Sequence, residues 1–458
     1  MNKYELKPTY ENLLNTFVKD TIGRNKDIFI FSDILNSVSD ACPIAIDGSW
    51  GSGKTFFVKQ TKMYLDSHNS CIKSIKDKDK NSIKKIKQDN ALKPQVSVYY
   101  DAWENDNDTD PILSLVYSIV CSVETDYSFD GNIDVFEKAA KVLEFFTGKN
   151  FTSLISVFKN ENALNEIKKT RGIENEIKDF LDSLLLEKGE RLIVFIDELD
   201  RCKPSYAVKL LERIKHYFDN NRITFVFSIN TDELQSTIKK HYGNDFNACR
   251  YLDRFFDLRV ILPPPDLTKY YNSLAFDENN YTYDSLCGII IKNYNFTLRE
   301  IGRFIRITKM AAHKITHDSH NFVFPDQKAT QFCIYYIVPI MIGLNLYSRD
   351  NYKKFISGND VTPLIENLSE FIWHFNGLLD NNETYYKEEN KKSVTLDEKL
   401  KLVYDTLFNT VYTSSNYQIK VGNYLFNEKT RQILFEVVGL LSEYTTIEND
   451  SEENKNER

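Results

Sequence analysis

The sequence predicts an α/β fold: a doubly wound, mainly parallel sheet with a helical insertion and a C-terminal helical region. Three observations predict it. Short apolar runs ending in polar residues recur between residues 43 and 262 and alternate with helical patterns. That is the rhythm of parallel strands buried on both faces and joined by crossover helices. One such run enters a glycine-rich turn followed at once by a helix, and from Asp266 onward helix follows helix.

Residues 1–40 read as helical and partly amphipathic. The apolar run Pro43–Asp47 is the first strand, and it leads through Gly48–Thr55 into a helix from about Lys54 to Leu65. Residues 73–93 carry eight lysines against three aspartates, which reads as a solvated, mobile loop or as a contact for phosphate. A strand at Val96–Tyr100 ends in Asp101-Ala102-Trp103, and a mostly helical stretch runs from 110 to 188. The run from Arg191 to Ile196 is a strand ending in acids, Pro204 opens a helix to about Phe218, and Ile223–Ile229 is another strand. A helix from Asp232 to about His241 and a strand near Phe256–Leu262 complete the sheet before Pro263.

The expected domains are a core over 1–265 with its helical insertion at about 105–190, and a helical lid or sensor region over 266–345. A C-terminal helical domain over 346–446 and a disordered acidic tail over 447–458 follow.

Hydrophobic residues at 42% and charged residues at 27% are the balance of an ordinary globular protein, which excludes collagen and wholesale disorder. Net charge is −8, so no global basic field points to nucleic acid; binding of nucleic acid stays open through a local patch alone. The seven cysteines show no pair at metal spacing, which favours a reducing, cytoplasmic setting over a disulfide framework. The longest apolar run, Phe332–Tyr347, spans 16 residues and holds Pro339 and Asn345. It falls short of the ~20 residues a bilayer span needs and reads as a buried helix, so no transmembrane segment is expected.

Gly48, Gly53, Lys54 and Thr55 satisfy G-x(4)-G-K-[ST]. Glycines let the backbone wrap a phosphate with its N–H groups inward, and the following helix aims its positive end at the same anion. Lys54 reaches the β and γ oxygens and the Thr55 hydroxyl ligates Mg²⁺. A chance match in a chain this long is on the order of one per cent. The nucleotide-holding candidates are therefore Gly48, Ser49, Trp50, Gly51, Ser52, Gly53, Lys54 and Thr55, in a P-loop NTPase fold. For Trp50, simple packing of the loop against the helical region is the plain alternative.

Downstream, Leu192–Ile196 ends in Asp197 and Glu198. The carboxyl end of such a strand is where open α/β sheets bind ligands. There Asp197 would hold Mg²⁺, and Glu198 would orient and deprotonate the attacking water, with Asp200 next in line. Asn230 ends the neighbouring strand; it would hold the lytic water or the γ-phosphate, or it is a turn-forming Asn. No guanine-reading [NT]KxD motif occurs, which favours ATP as the ligand.

These pieces resemble the KAP family of P-loop NTPases, within the additional-strand, AAA+-like group. The family's G-x-W-G-x-G-K-T loop is matched with Trp50 in place, its N-A-W motif resembles Asp101-Ala102-Trp103, and its D-D-L-D-R-C segment resembles Asp197–Cys202. Tyr251–Arg254 with Leu262-Pro263 is similar to its Y-L-E-K and L-P elements, and Thr297–Arg303 to its N-P-R segment. The resemblance runs from about residue 15 to 345. Asp101, Asn230, Arg254 and Leu298 depart from the usual Asn, Asp, Lys and Pro. Residues 56–190, where many members carry membrane helices, are charged and polar here.

The resemblance implies a Mg-ATPase that self-associates, with Arg201 or Arg254 reaching a neighbour's γ-phosphate and Arg299 acting within its own subunit. Surface ion pairs of Arg201 and Arg254 with Asp200 and Asp253 are the alternative. It also implies bacterial members in phage exclusion, beside a partner effector protein. A nucleotide-gated scaffold with little turnover, and a DNA-tracking motor using Lys73–Lys93, are the competing readings.

Overall fold

The structure, a computed structural model, describes residues 6–87, 92–108, 110–126, 189–217, 221–274, 281–318, 327–379, 395–413 and 417–439. The chain divides into two compact units, Lys7–Asp266 and Leu267–Arg458, the latter grouped with Met1–Leu6. Most of the expected insertion and the whole acidic tail lie outside the described residues.

In the first unit five strands form one sheet: β1 (Ile44–Asp47), β2 (Gln95–Asp101), β3 (Arg191–Asp197), β4 (Ile223–Ile229) and β5 (Leu258–Ile261). Their order is β2-β3-β4-β1-β5 and every pairing is parallel. Their side chains explain the placement. Leu192 to Ile196 of β3, with Val226, Phe227 and Ile229 of β4, are all but inaccessible, as strands covered on both faces must be. The pairing register brings Asp101 opposite Asp197, Asp197 opposite Ser228, and Asp47 opposite Ile229. The strand ends that carry polar residues therefore meet along one edge of the sheet.

Helices α1 (Tyr10–Val18), α2 (Asn25–Ser37), α3 (Lys54–Ser67), α4 (Asp77–Lys84) and α5 (Pro111–Asp126) belong to the first half of this unit. Helices α6 (Pro204–Tyr217), α7 (Thr231–Tyr242) and α8 (Ala248–Leu252) belong to the second. Helix α4 corrects the expectation of a mobile lysine loop. Its Ile83 is fully buried, Lys80 donates to the Ile72 carbonyl at 2.7 Å, and Lys87 pairs with Asp33 at 2.7 Å. One buried isoleucine and a few tethered lysines suffice to fold a segment whose composition reads as solvated.

The second unit is helical from α9 (Leu267–Ser273) through α10 (Tyr281–Asn293) and α11 (Leu298–Asp318) to α12 (Gln327–Phe332). A π-helical turn at Cys333–Ile337 then joins α12 to α13 (Val338–Tyr347). Pro339 explains the wider turn: it lacks an N–H and its ring crowds the carbonyl of the preceding turn. The helix Lys328–Tyr347 is long and apolar enough to cross a membrane, and 78% of its apolar window is buried inside the protein. Within this helical region an antiparallel hairpin occurs, β6 (Ile419–Val421) and β7 (Tyr424–Phe426). Gly422 turns it with φ +59, as the first position of a type II′ turn requires.

Candidate active site

Glycine geometry shapes the loop between β1 and α3. Gly51 and Gly53 have φ of +81 and +90, a region that side-chain-bearing residues avoid. The backbone N–H of Gly48 donates to the Ile229 carbonyl at 3.1 Å, fixing the loop's start against β4. Lys54 is buried, and its ammonium curls back to donate to the carbonyls of Gly48 at 2.5 Å and Ser49 at 3.2 Å. Burial lowers its proton affinity, while Asp200, Asp197 and Glu198 raise it, so these acids face the loop. Thr55 follows at the positive end of α3.

Arg24 stands behind the loop and no sequence signal marked it. It is 3% exposed; one guanidinium nitrogen donates to the Ser52 carbonyl at 2.8 Å and another to the Pro263 carbonyl. Burial lowers its pKa to about 10, with Asp27 opposing, so the group is still a charged donor at neutral pH.

The acids end β3. Asp197 is 1% exposed; its carboxylate accepts from the Tyr99 hydroxyl at 3.0 Å and from the Glu198 N–H at 3.1 Å. Burial and the nearby Asp197 and Asp101 push the Tyr99 phenol far upward, so it is a firm donor. Glu198 takes φ +62 and ψ +22, the left-handed region, a strain that clusters at functional positions. Burial first, then Asp197, raises its carboxyl to about 7, with Arg201 opposing. Arg201 places Nε 2.6 Å from the Glu198 Oε2.

Trp50 is partly exposed and its indole Nε1 donates to the Asp200 Oδ2 at 2.6 Å. That bond joins the phosphate loop to the acidic end of β3. The Arg201 guanidinium lies over the rings of both Trp50, at 5.7 Å, and Trp103, at 5.5 Å. Two expected ion pairs are therefore replaced. Arg201 pairs with Glu198, not Asp200, and Asp253 pairs with Arg259 at 2.6 Å. Cys202 is a buried thiol pushed upward by burial, the setting of a small hydrophobe.

The remaining candidates scatter. Asn230 ends β4 as the N-cap of α7, its side chain accepting from the Glu233 N–H at 3.5 Å. Arg254 is exposed and lines a cavity of about 200 Å³ with Pro43, Ile223, Phe225 and Phe255, at the strand starts rather than their acidic ends. Arg299 lies in the second unit, exposed in the first turn of α11, where Thr297 and Glu300 form a reciprocal cap.

Among the described residues no group of three His, Cys, Asp or Glu is arranged to hold a metal. A nucleotide-borne Mg²⁺ needs less, since phosphates and waters complete its shell. The donors suit it. Asp200 Oδ1 is buried without a hydrogen-bond partner, and the Asp197 carboxylate and Thr55 hydroxyl are hard oxygen ligands.

Comparison with known proteins adds the lineage. A family model described as the KAP family P-loop domain matches residues 26–313. An uncharacterised protein of Methanocaldococcus jannaschii is 35% identical over 81 residues, 17% of this chain and 41% of that protein's length. The chain thus spans under half of that relative. Among solved structures, the ORC2 protein of Aeropyrum pernix in ADPNP–ADP complexes is similar at a TM-score of 0.34 and 11% identity, covering 91% of this chain and 94% of that one. The ORC1 protein of the same organism in complex with DNA matches with the same TM-score, identity and coverage.

Proposed function

This chain belongs to the KAP family of P-loop domains, and on that premise we propose that it is a Mg-dependent ATPase whose nucleotide state switches a helical, partner-binding region. The observation that carries the reading is the meeting of two strand ends. The Gly48–Thr55 loop after β1 and the acids after β3 are joined by the Trp50–Asp200 hydrogen bond, while β4 runs between their strands.

In this reading the loop amides and the Lys54 ammonium hold the triphosphate. Lys54 exchanges the Gly48 and Ser49 carbonyls for phosphate oxygens. Thr55 and Asp197 would hold Mg²⁺, which would supply positive charge against the phosphates. Glu198 accepts the proton of the attacking water; a carboxyl raised to about 7 matches that task at neutral pH. Asp200 holds the loop through Trp50, and Asn230 stands at the end of β4, where an amide can reach the same water. Positioning and electrostatics of this kind suffice for slow phosphoryl transfer.

The finer parts rest on the family resemblance: self-association with a neighbour's arginine, a partner effector and an anti-phage setting; a cytoplasmic location rests on the cysteine pattern alone. The test is Mg-ATP turnover by the purified protein against Lys54→Ala. A rate equal to that variant's would replace the ATPase with the nucleotide-gated scaffold.

A further inference from the structure

The proposed site leaves one feature unused: two of the chain's three tryptophans, Trp50 and Trp103, half exposed, over one guanidinium. We infer that Trp50, Arg201 and Trp103 form a clamp in which Arg201, within its own chain, fixes the Glu198 carboxylate for its work on water. This deepens the ATPase reading and rests on it.

Each part of the clamp is anchored. Asp200 accepts the Trp50 indole N–H at 2.6 Å, so one wall of the clamp is built from the phosphate loop itself. Asp101 accepts the backbone N–H groups of Trp103 and Glu104 at 3.1 Å each, which sets the second wall at the end of β2. The end of β2 is tied in turn to β3 by the Ala102 N–H, which donates to the Asp197 carbonyl at 3.0 Å. Between the walls the Arg201 Nε meets the Glu198 Oε2 at 2.6 Å, with only 22% and 18% of the two side chains exposed.

Ordinary surface ion pairs contribute little because both long side chains must be ordered for them. Here that cost is reduced, since the guanidinium is already held by two ring faces, a mode that suits the planar arginine better than lysine. The pair occupies one carboxylate oxygen and leaves Oε1 for water. The left-handed backbone of Glu198 fits the same picture, a strained residue kept in place by its surroundings. Arg201 is thus a positioning residue. The Trp50 wall also carries any shift of the phosphate loop to the glutamate.

Arg201→Gln in the full chain should lower kcat about 10²-fold, the size of a misplacement of about 1 Å, and leave the Kd for Mg-ATP within about two-fold. Arg201→Lys should recover part of the loss through its charge. Adding excess Lys54→Ala chain, which carries an intact Arg201, should restore nothing. Restoration by that chain would mean the arginine serves a neighbour, and an unchanged kcat would mean it serves neither; both overturn the clamp.

A second measurement needs no turnover. In a Trp373→Phe background Trp50 and Trp103 are the only tryptophans left to emit under tryptophan-selective excitation, and Trp373 is 94% exposed, so its loss is innocuous. Arg201→Gln should at least double their quenching by acrylamide. Unchanged quenching overturns the clamp even if wild type turns over no faster than Lys54→Ala, the outcome that sinks the ATPase reading alone.

Discussion

The Arg24 guanidinium donates to the Ser52 carbonyl at 2.8 Å, tying the residue that caps α2 to the phosphate loop that precedes α3. A buried cation so placed fixes a loop whose glycines would otherwise leave it free. The same side chain reaches the Pro263 carbonyl beyond β5, so one residue ties the loop to the chain that leaves β5.

Arg24→Ala should therefore cost about 2 kcal/mol of stability, since the part-buried carbonyl bonds to Ser52 and Pro263 lose their donor. Urea unfolding reads this directly. Mg-ATP affinity should fall as well, because a loosened loop must be ordered again by the ligand. A variant with wild-type stability and affinity would show that water replaces the guanidinium at no cost.

Lys54→Ala should abolish Mg-ATP binding, because the backbone nest alone cannot offset the charge of a triphosphate. In a thermal-shift assay with ligand at 100 times Kd, the wild type gains about 2.7 kcal/mol and the variant nothing. Equal shifts in the two proteins would remove the loop as the nucleotide site.

Glu198→Gln should keep ATP affinity and stop hydrolysis, as it preserves shape and removes the base. Wild-type turnover in this variant would transfer the role to Asp200. A companion pair measures the strain. With φ at +62, Glu198→Gly should be more stable than Glu198→Ala by about 1 kcal/mol. Equal stability would show that the backbone relaxes when the side chain is lost.

Assembly is read best on the Glu198→Gln protein, which should self-associate in Mg-ATP. Arg254, exposed at the strand starts, would be an arginine within a neighbour's reach, and such a group can raise turnover about 10³-fold. In that background Arg254→Ala should weaken association, and in the otherwise wild-type chain it should lower hydrolysis, with monomer affinity for nucleotide kept. Sedimentation velocity that finds a monomer with and without ATP would confine the arginines to their own chain.

The sequence by itself determined the parts that depend on neighbours in the chain. Gly48 to Thr55 states its loop because phosphate wrapping needs glycines, a lysine and a hydroxyl at fixed offsets, and each of these is local. The apolar runs ending at Asp197 and Ile229 announce buried parallel strands because a strand covered on both faces has no polar positions to spare. The tertiary structure alone decided what those parts touch. That β4 lies between β1 and β3 follows from how crossover helices pack, which no local pattern encodes. Arg24 carries no motif, and its role exists only because folding brings it against a carbonyl 28 residues away. Arg201 could have joined Asp200, the adjacent acid; the fold instead gives one oxygen of that carboxylate to the indole of Trp50, 150 residues distant in sequence, and sets the guanidinium against Glu198. A side chain with two possible partners is assigned by the group that the fold holds within hydrogen-bonding distance of it.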